Sequence, residues 1–202
     1  MFITNGYVDQ KKLYLVSFER LSKLSNAQIH KRYGHMLLPY KTITVDLIQS
    51  AIDSIPSNNR NWTSINIKEG LYREKLKIQH DKPYIILQGE GMNKTIVEWD
   101  DHATTSQSPT FFTMADNIAV KFITFKNSYN DPGKGNPFAP AVAALVSGDK
   151  SSFHSVAFLG FQDTLWDDKG RHYFKDYFIQ GAADFIFGVG QSLYEVLPLS
   201  II

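Results

Sequence analysis

The sequence of 202 residues has no cysteine, which excludes disulfides, zinc–thiolate sites and thiol nucleophiles. It does not fix the compartment, since secreted proteins can also lack cysteine. No apolar run reaches the length of about 18 residues that a membrane span needs. The start, Met1-Phe2-Ile3-Thr4-Asn5-Gly6, reaches Lys11-Lys12 without the apolar stretch of a signal peptide. An excess of one charge is also missing. The 21 Lys and Arg against 20 Asp and Glu leave a formal net charge of +1, which gives no argument for a nucleic-acid partner.

Helical patterning is scarce too. Residues 1–40 show no clear period and are read as a separate N-terminal segment, with a domain over 41–202. Val45, Ile48, Ile52 and Ile55 fall on helical spacing beside Ala51. Asp46 as N-cap and Pro56 as a stop predict one short helix, roughly Leu47 to Ser54. Beyond it, short β-rich runs alternate with Gly, Asn, Asp and Pro. These are Ser64–Lys68, Lys75–Ile78, Tyr84–Leu87, Thr95–Trp99, Thr110–Thr113, Val120–Phe125 and Ala143–Val146. Without further helices, alternating βαβ units are not expected.

What the sequence does have is an internal repeat. The segment from Phe153 to Trp166 matches the one from Phe174 to Phe187 at an offset of 21 without a gap. Phe153 lies over Phe174, Gly160 over Gly181 and Asp163 over Asp184. A third copy, Val120 to Asn127, matches Val156 to Asp163 at an offset of 36, the longer gap holding a loop, Asn130 to Pro137. A repeat of this length made of short strands predicts a solenoid of stacked β coils.

In such a stack Asp163 and Asp184 sit on neighbouring rungs and point the same way. Two close carboxylates titrate as a pair, one pKa pushed up and the other down. That supplies an acid with a base, or an acid with a nucleophile, near neutral pH. Gln162 adds an amide donor suited to an oxyanion. Two other readings fit the same residues: turn formers in an Asp ladder, or a calcium site, although the usual three or more nearby acids are missing. Asp167-Asp168 reads as a solvated turn, and Gly89-Glu90-Gly91 as a turn between coils. The six histidines (His30, His35, His80, His102, His154, His172) lack metal-ligand spacing and read as surface or turn residues.

The motifs carry a resemblance. Gly160-Phe161-Gln162-Asp163-Thr164-Leu165 resembles the Gly-aromatic-Gln-Asp-Thr-Leu motif of plant-type pectin methylesterases. Gly181-Ala182-Ala183-Asp184-Phe185-Ile186-Phe187-Gly188 resembles their Gly-Thr-Val-Asp-Phe-Ile-Phe-Gly motif. Gly70-Leu71-Tyr72-Arg73-Glu74, Ile123-Thr124-Phe125-Lys126-Asn127 and Gly148-Asp149-Lys150 match further family segments. The resemblance implies an all-β fold, a right-handed parallel β-helix, here incomplete. It implies Asp184 as nucleophile, Asp163 as proton donor and then base, and Gln162 as oxyanion donor. It places Thr110 against the substrate and Trp166 on the wall of the sugar cleft. It implies no metal or organic cofactor. As partners it implies methylesterified homogalacturonan and a proteinaceous pectinesterase inhibitor, for a monomer secreted to the cell wall.

Three departures from the family stand out, one being that Thr44-Val45-Asp46 runs straight into Leu47-Ile48-Gln49 where the family usually has a Gly-rich stretch. Pro140 replaces a Gln that serves the family as a second oxyanion donor. The Leu-Gly-Arg-Pro-Trp motif, whose Arg holds the nucleophile, does not occur in this sequence. A non-catalytic fragment of the family is therefore the alternative expectation.

Overall fold

The computed structural model describes residues 41–195 and 199–201. They belong to one compact unit, Pro39–Ile202. After the first strand and a short helix, its chain winds through three parallel sheets in a fixed order, one strand per sheet in each turn. The first sheet stacks β1 (Lys41–Val45), β2 (Thr63–Ile67), β5 (Ile85–Gln88), β8 (Ile118–Lys121), β11 (Ser151–His154), β14 (Arg171–Lys175) and β17 (Gln191–Glu195). The second stacks β3 (Gly70–Tyr72), β6 (Thr95–Trp99), β9 (Thr124–Asn127), β12 (Ala157–Leu159), β15 (Phe178–Gly181) and β18 (Leu199–Ile201). The third stacks β4 (Leu76–Ile78), β7 (Phe111–Thr113), β10 (Ala144–Val146), β13 (Leu165–Asp167) and β16 (Ile186–Phe187).

The side chains that point inward form columns. Ile65, Leu87, Val120, Phe153, Phe174 and Tyr194 stand one above another in the first sheet. Rungs in a parallel sheet lie about 4.8 Å apart, a spacing close to that of offset-stacked rings. Phe153 and Phe174 stack at 4.8 Å and 8°, and Phe174 and Tyr194 at 4.6 Å and 4°. Phe111 of the third sheet stacks on Phe125 of the second at 4.4 Å, so the aromatic columns meet across the core. Burying each such ring contributes roughly 1.5–3 kcal/mol.

The corners repeat as faithfully as the strands. Tyr84, Asn117 and Lys150 precede first-sheet strands with left-handed backbone, and Phe122, Ser155 and Asp176 do so where the chain passes from the first sheet to the second. The passage from the second sheet to the third turns on Asp163 (φ 61°) and Asp184 (φ 46°). Asn and Asp tolerate this conformation better than other non-glycine residues. The glycines three residues earlier, Gly160 and Gly181, are required by close approach. A Cβ on either would meet Thr164 Oγ1 at 2.8 Å, and on Gly181 also Phe185 Cβ at 2.4 Å.

The predicted helix is present as α1 (Ile48–Asp53), burying Ile48, Ala51 and Ile52. Its start differs from the expectation. Leu47, not Asp46, is the N-cap and supplies no side-chain bond. The Glu74 carboxylate instead accepts the N–H groups of Ile48 (3.0 Å) and Gln49 (2.9 Å). A carboxylate at a helix N-terminus satisfies orphan donors and complements the helix dipole. That gives Glu74 of the Gly-Leu-Tyr-Arg-Glu segment a structural task.

The 21-residue offset is the true rung spacing, seen in Phe153↔Phe174, Ala157↔Phe178 and Leu165↔Ile186. The offset of 36 is wrong by three residues. Val120 lies over Phe153 and Phe125 over Phe158, an offset of 33. The run Val120–Phe125 is also two strands, broken by the left-handed Phe122. The slip arose because Val120 and Val156 are both buried apolar residues on opposite sides of such a corner.

Two polar expectations change as well. Asp167 is buried, not a solvated turn residue, and so is His172. His172 pairs through Nδ1 with Asp167 Oδ1 (2.5 Å), and its Nε2–H donates to the Gly148 carbonyl (2.7 Å). The Tyr194 hydroxyl donates to Asp167 Oδ2 at 2.8 Å. Buried polar groups need such partners, and here they bind three consecutive segments of the coil. Residues 1–40 lie outside the described residues.

Candidate active site

The site forms at the corner between the second and third sheets. Gln162 and Ala183 make a parallel bridge, and Asp163 N–H donates to Ala183 O at 3.0 Å. One residue further, Asp163 and Asp184 occupy equivalent corner positions on successive coils. The β13–β16 register then continues through Leu165↔Ile186 and Trp166↔Phe187. The same corner position on adjacent rungs and the same backbone conformation bring the two carboxylates near each other.

Their surroundings differ. Asp163 is only 8% exposed, whereas Asp184 is exposed. The Thr105 hydroxyl donates to Asp163 Oδ2 at 3.4 Å. Burial pushes the Asp163 carboxyl above the usual carboxylate range. Thr105 opposes that rise, and the negative charge of Asp184 adds to it. No Lys or Arg among the described residues forms an ion pair with either aspartate. Gln162 is half-buried, and its side-chain amide has no hydrogen-bond partner among the described residues.

The wall that carries Thr105 is a loop over residues 100–109, pinned at several points. Lys75 pairs with Asp101 and reaches the Gln107 carbonyl. Ser108 Oγ donates to Thr105 O (3.3 Å) and accepts from Val142 N (3.1 Å). The buried Asn127 amide donates to Asp101 O (2.9 Å), Ser108 O (3.2 Å) and Val142 O (3.2 Å). Asn127 therefore fastens this loop to the coil beneath the carboxylates. Thr105 and Asn127 were not foreseen as contributors to the site. Asn127 ends a segment that matched the family, but nothing local marks Thr105.

Thr110 stands at the same corner as Thr164, two coils earlier. It is fully buried, and its hydroxyl donates to the Lys126 carbonyl at 3.0 Å. Thr164 does the same work two coils on, donating to Gln180 O at 3.0 Å. Both hydroxyls close the end of a second-sheet strand. Trp166 is half-exposed and stacks on Phe187 at 5.3 Å, forming an aromatic shelf on the strands that follow the two aspartates. Pro140 offers the site no donor. The next N–H, from Ala141, is spent on Gln162 O at 3.3 Å. Among the described residues no group of three or more His, Cys, Asp or Glu side chains is placed to hold a metal ion.

The arrangement of a buried carboxyl with a raised pKa, an exposed carboxylate and an amide donor suits acyl transfer at an ester. A sequence model of the pectinesterase family matches residues 39–200. Probable pectinesterase 29 of Arabidopsis thaliana is 61% identical over 159 residues, 77% of this chain and 48% of that protein. Probable pectinesterase 55 of the same plant is 58% identical over the same shares. The chain thus spans about half the length of the curated relatives it matches. Pectin methylesterase from carrot superposes with a TM-score of 0.70 at 28% identity, over 77% of this chain and 50% of that one. A pectin methylesterase variant solved in complex with a hexasaccharide gives a TM-score of 0.72 at 28% identity, covering 80% of this chain and 55% of that one. The coil is the right-handed parallel β-helix of these enzymes.

Proposed function

Because the chain belongs to the pectinesterase family, we propose that it serves the hydrolysis of galacturonate methyl esters in pectin, releasing methanol. The observation that carries this reading is the equivalence of Asp163 and Asp184 on adjacent rungs, one buried and one exposed.

The roles follow from the two environments. The Asp184 carboxylate attacks the ester carbonyl carbon and forms an acyl-enzyme. The oxygen charge that develops is met by the Gln162 amide. Asp163, whose pKa is raised by burial and by the neighbouring charge, protonates the departing methanol. It then accepts a proton from the water that hydrolyses the acyl-enzyme and restores Asp184. With Pro140 in place of a second amide, oxyanion stabilisation rests on Gln162, where one such donor is typically worth about 10²–10³ in rate.

The proposed setting is the cell wall outside the plant cell, where methylesterified homogalacturonan is the substrate; family membership supports it. The identity of the reaction is tested by its products. Methanol and new carboxylate should appear in equal amounts from highly methylesterified pectin. Release of acetate from acetylated pectin without methanol would overturn the assignment.

A further inference from the structure

The loop that follows β9 holds an aromatic residue that the chemistry above does not use. Phe138 is 71% exposed. Its ring is stacked nearly parallel on Phe161, centroids 4.9 Å apart and planes 10° apart. Phe161 is next to Gln162 and two residues from Asp163. Its carbonyl accepts N–H groups from Ala182 (2.7 Å) and Ala183 (3.1 Å), the two residues before Asp184. The ring pair is thus fixed to the same backbone that places both carboxylates.

The loop is built to hold Phe138 still. Asn130 closes its base, donating to Ala139 O at 2.6 Å and accepting from Ala139 N at 3.3 Å. Lys126 pairs with Asp131 at 2.7 Å, Lys134 donates to Ser128 Oγ at 2.9 Å, and Asn136 donates to Tyr129 O at 2.7 Å. A one-turn 3-10 helix, Pro132–Lys134, and the left-handed Gly135 complete the bend. A side chain whose loop is already ordered pays little further entropy on binding.

We propose that Phe138, backed by Phe161, is a loop-borne platform for a pyranose ring of the pectin chain next to the residue being hydrolysed. The proposal rests on the function proposed above and adds to it a specific sugar contact. The electron-rich face of an aromatic ring suits the C–H face of a pyranose, which is apolar and slightly positive. Two aromatic pairs then lie on either side of the corner along the chain: Phe138 with Phe161 before it, and Trp166 with Phe187 after it. A polymer lying across the corner would meet both. Binding sites commonly pair such apolar surfaces with few polar groups.

The test is calorimetric binding of a methylesterified hexagalacturonide to the full chain carrying Asp184→Asn, so that no turnover intervenes. The same is measured with Phe138→Ala and Phe138→Tyr added. Phe138→Tyr keeps the ring stack and should leave the thermal melt unchanged, while Phe138→Ala should lower it only by the loss of the stack on Phe161, which is checked first. The expected result is an affinity lowered about tenfold by Ala, the worth of one aromatic contact, and retained by Tyr. Equal affinity for all three proteins would overturn the platform while leaving the esterase reading intact. Absence of binding by the parent would overturn it as well, and methanol release by the wild-type chain then reads the esterase function separately.

Discussion

Asp163 and Asp184 hold the same corner of consecutive coils, each in the left-handed region, with φ of 61° and 46°. The sequence admits both a turn-forming ladder and a catalytic pair, and the corner geometry is compatible with both. The conformation that Asp tolerates at a tight corner is also the one that sets two carboxylates side by side. Thr105 then distinguishes them by touching only Asp163.

That contact has a consequence for pH dependence. Thr105 lowers the Asp163 pKa against the upward push of burial and of Asp184. Asp163 must carry its proton to act as the acid, so the rate falls as pH rises through its pKa. Thr105→Val removes the opposing bond and should move the alkaline limb of kcat to higher pH, with Thr105→Ser restoring the wild-type limb. An unchanged pH–rate profile in Thr105→Val would show that the hydroxyl does not set this protonation.

Thr110 is expected to matter for stability and not for substrate. Its hydroxyl satisfies the Lys126 carbonyl inside the coil. Thr110→Val keeps the shape and loses one buried hydrogen bond, a cost of about 1–2 kcal/mol in a urea melt. KM for pectin should stay at the wild-type value. A raised KM with unchanged stability would return Thr110 to the substrate-contacting role the family resemblance implies.

His154 makes the fold sensitive to acid. Burial, with Lys121 and Lys175 beside it on the neighbouring rungs, pushes its pKa from 6.5 to about 4, against smaller upward contributions from Asp176 and Glu195. Between these values the unfolded chain binds the proton and the folded chain does not. The stability linked to His154 is therefore full above pH 6.5 and is lost as pH falls toward 4. His154→Gln should flatten the decline in melting temperature across that range. A decline as steep as in the wild type would assign it to other groups.

How much was legible in the sequence depended on distance along the chain. The 21-residue register could be read because each coil repeats its inward Phe, its close-packed Gly and its corner Asp. The earlier coil was misaligned by three residues because a corner and a long loop interrupt the repeat there, and apolar residues on either side of the corner look alike. Contacts between distant segments were invisible. Thr105 reaches Asp163 across 58 residues, and Glu74 caps α1 across 26. The burial of Asp167 and His172 was also hidden. Their polarity argues for solvent, and only the fold supplies the partners that allow them inside.

The most direct test of the central claim is the rate of methanol release from highly methylesterified pectin by this chain and by its Asp163→Asn and Asp184→Asn forms. Circular dichroism of each serves as a check on folding. The account predicts release by the parent and a loss of about 10²–10⁴ or more in each variant, because one removes the acid and the other the nucleophile. A folded Asp184→Asn protein that releases methanol at the parent rate would contradict the assignment of the paired aspartates.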